Sequence, residues 1–250
     1  MRLLLRSTAA ALCLAVVAAA PACAQGFSDA QRGEIEKIIK EYLVSHPEVL
    51  QEAMSEFEKR QSAAELEKQV AGVKQNKEVL FNSTHQVTLG NPKGDVTMVE
   101  FFDYNCGYCK KALGDMLTLL KSDPNLKVVL KEYPVLGPGS LEAAQVAVAA
   151  RMQDKTGGKK YLDFHQRLLG GHGAADKARA LAAAKDAGFD MARLEKDIGS
   201  DEVRETLKET MKVADAIGLN GTPSYIIGSD VVIGAQGYDV LKEKVDAARK

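Results

Sequence analysis

VTMVEFFDYNCGYC, Val96 to Cys109, decides the fold: an apolar run, Val96 to Phe102, gives way to a short polar link and then to two cysteines three residues apart. The run reads as a buried strand. Residues 110 to 121, KKALGDMLTLLK, follow with Leu113, Met116, Leu117 and Leu120 at spacings of three and four, which predicts a helix opening at or just before Cys106. A dithiol at a strand-to-helix junction points to redox chemistry. Thiol–disulfide exchange needs a thiolate, and a free cysteine with a pKa of ~8.5 supplies little of it at neutral pH. The unpaired N–H groups and positive dipole end of a first helical turn stabilise an anion there. Cys106 is therefore placed to be the exposed nucleophile, with Cys109 one turn on as the more buried thiol that resolves the mixed disulfide. Lys110 and Lys111 either add positive field or are simply solvated.

The pair could instead be a static disulfide or half of a zinc site. Zinc takes four ligands, usually a second cysteine pair or two histidines. No other cysteine lies beyond residue 23, and His46, His85, His165 and His172 are scattered. No metal is expected.

The N-terminus bears on the compartment. Arg2 and Arg6 precede the apolar stretch Leu12 to Ala20, and Ala22-Cys23-Ala24 offers a small-residue cleavage site, so residues 1–24 read as a secretory signal peptide. The stretch is too short for a membrane span. Lipidation of Cys23 competes with this reading, but Ala20-Pro21-Ala22 is a poor lipoprotein signal. Cleavage after Ala24 would remove Cys13 and Cys23 and leave Cys106 and Cys109 alone. A bond across two residues staples almost nothing, so the pair reads as catalytic. Losing Arg2 and Arg6 takes the formal charge from −1 to −3, 31 basic against 34 acidic residues. Nothing in that balance points to nucleic acid or to an anionic membrane surface.

Residues 28 to 80 are rich in Glu, Lys, Gln and Ala. Ser28 and Gln31 predict a capping box for a first helix striped by Ile35, Ile38, Ile39, Tyr42 and Leu43. Pro47 restarts the chain as a second helix carrying Leu50, Met54, Phe57 and Ala64, then Leu66, Val70, Val73 and Leu80. The stripe shifts register between Ala64 and Leu66, so no sustained heptad is expected. A narrow apolar stripe on a polar helix with little local core favours self-association over packing on the rest of the chain. Beyond a candidate strand at His85 to Leu89, a second strand at Leu126 to Tyr133 completes a β-α-β unit with the dithiol at the end of its central strand. Residues 140 to 217 read as helical with glycine breaks. Strands return at Ser224 to Ile227 and Val231 to Ile233, before a last helix from about Tyr238.

Gly221-Thr222-Pro223, at the head of a strand, is the second informative motif, although proline is also tolerated at an ordinary strand start. With the upstream C-x-x-C and this element order, the chain resembles the thioredoxin superfamily. FFDYNCGYCK, the helical insertion and GTPSYIIG resemble the DsbA-type thiol oxidoreductases over roughly residues 85 to 250. The resemblance implies an α/β thioredoxin-like fold with an inserted helical domain at about 138–213 and an N-terminal helical extension at 25–84. It makes Cys106 the nucleophile, Cys109 the resolving cysteine, Pro223 a cis-proline and Thr222 the residue that meets the substrate backbone. Glu100, six residues before Cys106, matches an acidic residue that relays the resolving thiol's proton, with Lys131 as a candidate charge partner.

Gly107-Tyr108 and Thr222 resemble the isomerase branch, DsbC and DsbG, while the domain layout is DsbA-like. Together with the N-terminal helices, this is similar to the ScsC group, suppressors of copper sensitivity, and a trimer is the order that likeness implies. The expected activity is periplasmic disulfide isomerisation or reduction on disulfide-containing client proteins, with the Cys106–Cys109 disulfide in place of any cofactor. A DsbD- or ScsB-like membrane reductant would serve it. Two alternatives stand: a DsbA-type oxidase served by a DsbB-like oxidant, and a Cu(I)-binding protein, for which soft thiolates suit but which lacks a Met-rich or His-rich tract.

Overall fold

The computed structural model describes residues 27–250. The expected signal peptide, Cys13 and Cys23 lie outside the described residues. The chain divides into two compact units, Met1–Glu58 and Lys59–Lys250. In the first, α1 (Asp29–Ser45) opens on the expected capping box: Ser28 accepts from the Gln31 N–H, and Gln31 reaches back to the Ser28 N–H. It buries none of its residues. Its apolar side chains Ile38, Ile39 and Tyr42, and Leu50, Met54 and Phe57 of α2 (Pro47–Gln75), stay exposed.

The sequence predicts one helix through Leu80, but α2 ends at Gln75 and a short α3 (Lys77–Phe81) follows. The break falls at Asn76, whose side-chain amide donates at 2.8 Å to Gly72 O, the same carbonyl that accepts the Asn76 N–H at 3.1 Å. The first strand, β1 (Val87–Gly90), starts two residues later than expected. The Gln86 side chain is instead engaged with Glu209 and Thr210.

β2 (Val96–Phe102), α4 (Gly107–Ser122) and β3 (Leu126–Glu132) form the β-α-β unit, β2 and β3 running parallel. Five helices follow: α5 (Pro138–Gln153), α6 (Lys159–Leu169), α7 (Lys177–Asp186), α8 (Met191–Asp197) and α9 (Asp201–Ile217). The chain then closes with β4 (Ser224–Ile227), β5 (Asp230–Ile233) and α10 (Tyr238–Ala247). Sheet order is β1-β3-β2-β4-β5, with β2 central and every pairing but β2–β3 antiparallel.

Strand alternation divides the core. Val99 and Phe101 of β2 face one layer with Val129, Val213, Ala214 and Ile217, whereas Met98 and Phe102 face the other with Cys109, Met116, Val128 and Leu130. In α5, Ala143, Ala144 and Val146 through Ala150 are all buried. Small residues nearly all round let α6, α7, α8 and α9 pack against it.

Candidate active site

Cys106 caps α4. Its backbone is extended (φ −77°, ψ 115°), and its Sγ accepts the Cys109 N–H at 3.3 Å. That contact supplies one of the donors a first turn leaves unpaired, directed at the sulfur. The Cys106 thiol also donates to Thr222 O at 3.2 Å. Thr222–Pro223 is the one cis peptide bond among the described residues. Its approach is set by the end of α9, where Gly218 (φ +81°) turns the chain in the left-handed region that favours glycine. The next residue, Leu219, is buried and its carbonyl accepts the Tyr133 hydroxyl at 3.2 Å.

The two thiols differ less in exposure than the sequence implied, Cys106 keeping 5 % and Cys109 none. Burial pushes the Cys109 thiol well above the ordinary range, so in the dithiol form it holds its proton. Tyr108 is exposed, with Lys111 Nζ 5.6 Å above its ring. A Cβ at Gly107 would meet nothing within 4 Å, so that position is not sterically restricted to glycine.

On the sheet face that holds Cys109 lies Glu100, 2 % exposed and raised to about 8 by burial, with the nearby Asp115 adding to the rise. Lys131 is not its partner. In the parallel β2–β3 register Lys131 pairs with Phe101, on the opposite sheet face from Glu100. Its Nζ reaches Glu209 of α9 at 3.6 Å, and burial lowers it to about 8.

Two residues just before the dithiol escaped the sequence reading. Buried Asp103 accepts N–H groups from Asn105 at 2.7 Å, Val135 at 2.9 Å and Leu136 at 3.0 Å. Asn105 bonds Ser140 Oγ at 3.0 Å and both backbone groups of Ala175. Together they tie the Cys106 loop to the segment after β3 and to the helical insertion. A third buried set lies behind them: Tyr104 Oη is 3.1 Å from Tyr161 Oη and 3.3 Å from His165 Nδ1, and the Tyr161 hydroxyl donates to Glu132. Burial keeps His165 neutral, lowered to about 3, and raises Glu132. Asp103, Tyr104 and Asn105 could have been found by their place directly before the cysteines, whereas Glu132, Tyr161 and His165 are brought to them only by the fold. Among the described residues no group of three or more His, Cys, Asp or Glu is arranged to hold a metal ion.

A helix-capping dithiol facing an X–Pro loop on this sheet defines a thioredoxin-like oxidoreductase. Residues 97–246 match the DSBA-like thioredoxin domain, and residues 31–64 match the copper resistance protein ScsC N-terminal domain. The chain belongs to the DSBA-like thioredoxin domain family, whose members are thiol–disulfide oxidoreductases.

Among solved structures, a thioredoxin-like oxidoreductase from Silicibacter pomeroyi is 41% identical, covering 70% of this chain and 98% of that one, with a TM-score of 0.66. The thiol-disulfide exchange protein alpha-DsbA2 from Wolbachia pipientis is 31% identical over 74% of this chain and 97% of its own, TM-score 0.67. A linker-deletion variant of Proteus mirabilis ScsC is 26% identical over 89% of this chain and 96% of its own, TM-score 0.66. The Na(+)/H(+) antiporter NhaA 1 of Salinispora arenicola is 26% identical over 161 residues, 64% of this chain and 24% of the antiporter. The chain thus spans about a quarter of the length of such curated relatives.

Proposed function

We propose that the protein is a periplasmic thiol–disulfide oxidoreductase that isomerises or reduces disulfides in secreted client proteins. The observation that carries the chemistry is Cys106 Sγ at the start of α4, between the Cys109 N–H and the Thr222 carbonyl. Cys106 as thiolate attacks one sulfur of a client disulfide. The client's S–S bond breaks, its second sulfur leaves as a thiolate, and Cys106 holds the first in a mixed disulfide. Cys109 then gives its proton to Glu100 and attacks Cys106 Sγ, releasing the client as a dithiol and leaving Cys106–Cys109 oxidised. In isomerisation the client's own leaving thiolate, or another of its cysteines, displaces Cys106 before Cys109 acts. Thr222, directly before Pro223, presents its backbone to an extended client segment as an added strand. Gly107 and Tyr108 form the loop between the cysteines, Tyr108 giving the client an exposed aromatic surface.

The isomerase or reductase direction rests on the N-terminal segment, 25–84, as a self-association element of the catalytic region, 85–250. The exposed Ile38, Ile39, Tyr42, Leu50, Met54 and Phe57 leave apolar surface for copies of the same chain to cover. A trimer with a DsbD- or ScsB-like membrane reductant completes this reading. The match to the DSBA-like domain favours the second reading, a disulfide oxidase served by a DsbB-like oxidant. Trapping the redox state of Cys106 and Cys109 in cells separates the two: a mostly reduced pair is expected here, and a mostly oxidised one supports the oxidase. Cys106→Ser with full activity on a scrambled disulfide substrate would overturn both. Ile39→Asp with Phe57→Asp is expected to lower the mass in solution to that of one chain.

A further inference from the structure

β4 carries a tyrosine, Tyr225, in the buried layer that also holds Cys106 and Cys109. Tyr225 is the antiparallel partner of Glu100 across β2 and β4, and paired residues project from the same sheet face. Both lie in the layer that holds Cys109, and Tyr225 and Cys109 have no exposure at all. Glu100 Oε2 and the Tyr225 hydroxyl are fully buried, and among the described residues neither has a hydrogen-bond partner, the two not being bonded to each other either. Two unpartnered buried polar groups on paired residues of neighbouring strands are each placed to become the other's partner.

We infer that Tyr225 is a positioning residue for the resolving step, its hydroxyl turning to donate to the Glu100 carboxylate as that group ionises, so that Glu100 can take the proton of Cys109. The inference rests on the dithiol mechanism proposed above and adds to it the group that makes its base available. Electrostatics agree in direction. Burial raises Glu100, and the Tyr225 hydroxyl is the largest influence opposing that rise, whereas Asp115 of α4 adds to it. Seen from Tyr225, the charges nearby are Glu100, Cys109, Asp115 and Cys106. A phenylalanine would keep the ring in the core and remove only the donor. The proton balance is unchanged: it passes from Cys109 Sγ to Glu100 as the Cys106–client S–S bond breaks and the Cys106–Cys109 bond forms, two electrons passing to the client sulfur.

The test is stopped-flow reaction of the full, reduced protein with excess Ellman's reagent across pH 5 to 9. The first chromophoric thiolate reports attack by Cys106, and the second reports resolution by Cys109. For Tyr225→Phe the first phase is expected to match wild type within about twofold. The second-phase pH profile is expected to move up by about one unit, roughly tenfold slower at neutral pH, the size expected of one hydrogen bond to a carboxylate. In a Glu100→Gln background Tyr225→Phe should add nothing further. A Tyr225→Phe profile superimposed on wild type overturns the inference, as does an equal slowing in both backgrounds. Glu100→Gln alone must lose the titration near pH 8, and retention of it also overturns the inference even if Tyr225→Phe does not fold. Failure of the underlying mechanism looks different: wild type itself would show no second phase.

Discussion

Replacing Glu100 by glutamine is expected to make the reduced protein resist alkaline unfolding. In the folded chain the Glu100 carboxyl, 2 % exposed, is raised from 4.5 to about 8, first by burial. In the unfolded chain it ionises near 4.5. Between those values the folded state binds more protons, so the stability this group allows is fully present below pH 4.5 and is lost as pH rises through about 8. One pH unit of such a gap corresponds to about 1.4 kcal/mol, and the interval from 4.5 to about 8 therefore sets a ceiling of about 5 kcal/mol. Glutamine matches the protonated acid in shape and has no proton to lose. The stability difference, variant minus wild type, should climb by roughly 3 to 5 kcal/mol between pH 4.5 and 8 and then level off. Urea unfolding of both proteins under reducing conditions, in half-unit steps from pH 4.5 to 9, measures this directly. A difference that stays constant over the whole range would refute the reasoning, because Glu100 would then ionise alike in the folded and unfolded chain.

Cys109→Ser should trap the Cys106 mixed disulfide with a client peptide and lengthen its lifetime roughly a hundredfold, read on non-reducing gels. Asp103→Ala removes the acceptor of three backbone N–H groups in a buried loop, so a loss of about 2 to 5 kcal/mol is expected in denaturant unfolding, with Asp103→Asn losing less. His165 is lowered to about 3 by burial while the unfolded chain protonates near 6.5, so stability falls as pH drops from 6.5 toward 3. His165→Gln should flatten that acid limb by up to about 1.4 kcal/mol per pH unit, and an unchanged limb counts against a buried neutral histidine.

Much of the fold was legible because the signals were local. The apolar run of β2, the three-and-four spacing in α4, the Ser28–Gln31 box and the strand after Gly221-Thr222-Pro223 each follow from neighbours within a few residues. The second helix ends just before Asn76, where the local feature is a side-chain bond to Gly72 O, which leaves no mark in the hydrophobic period. The polar groups around the dithiol were harder to place. Tyr225 stands in plain view in GTPSYIIG, yet its meaning depends on an antiparallel register with a strand more than a hundred residues away.

From the sequence alone came a dithiol at a helix start, its pairing with a proline loop, and apolar helical stripes with no local core. The first and third are matters of composition and short spacing, whereas the pairing with the proline loop is what the resemblance to the thioredoxin superfamily implied. Which face each charge takes was decided only in three dimensions. Strand alternation sends Lys131 to Glu209 on one side of the sheet and leaves Glu100 on the other with Tyr225 and Cys109. Folding the insertion back over the sheet buries Tyr104, Tyr161, His165 and Glu132 together. The physical reason is that ionisation depends on solvent and on the few groups within hydrogen-bond reach, and neither exists until the sheet and its covering helices have assembled.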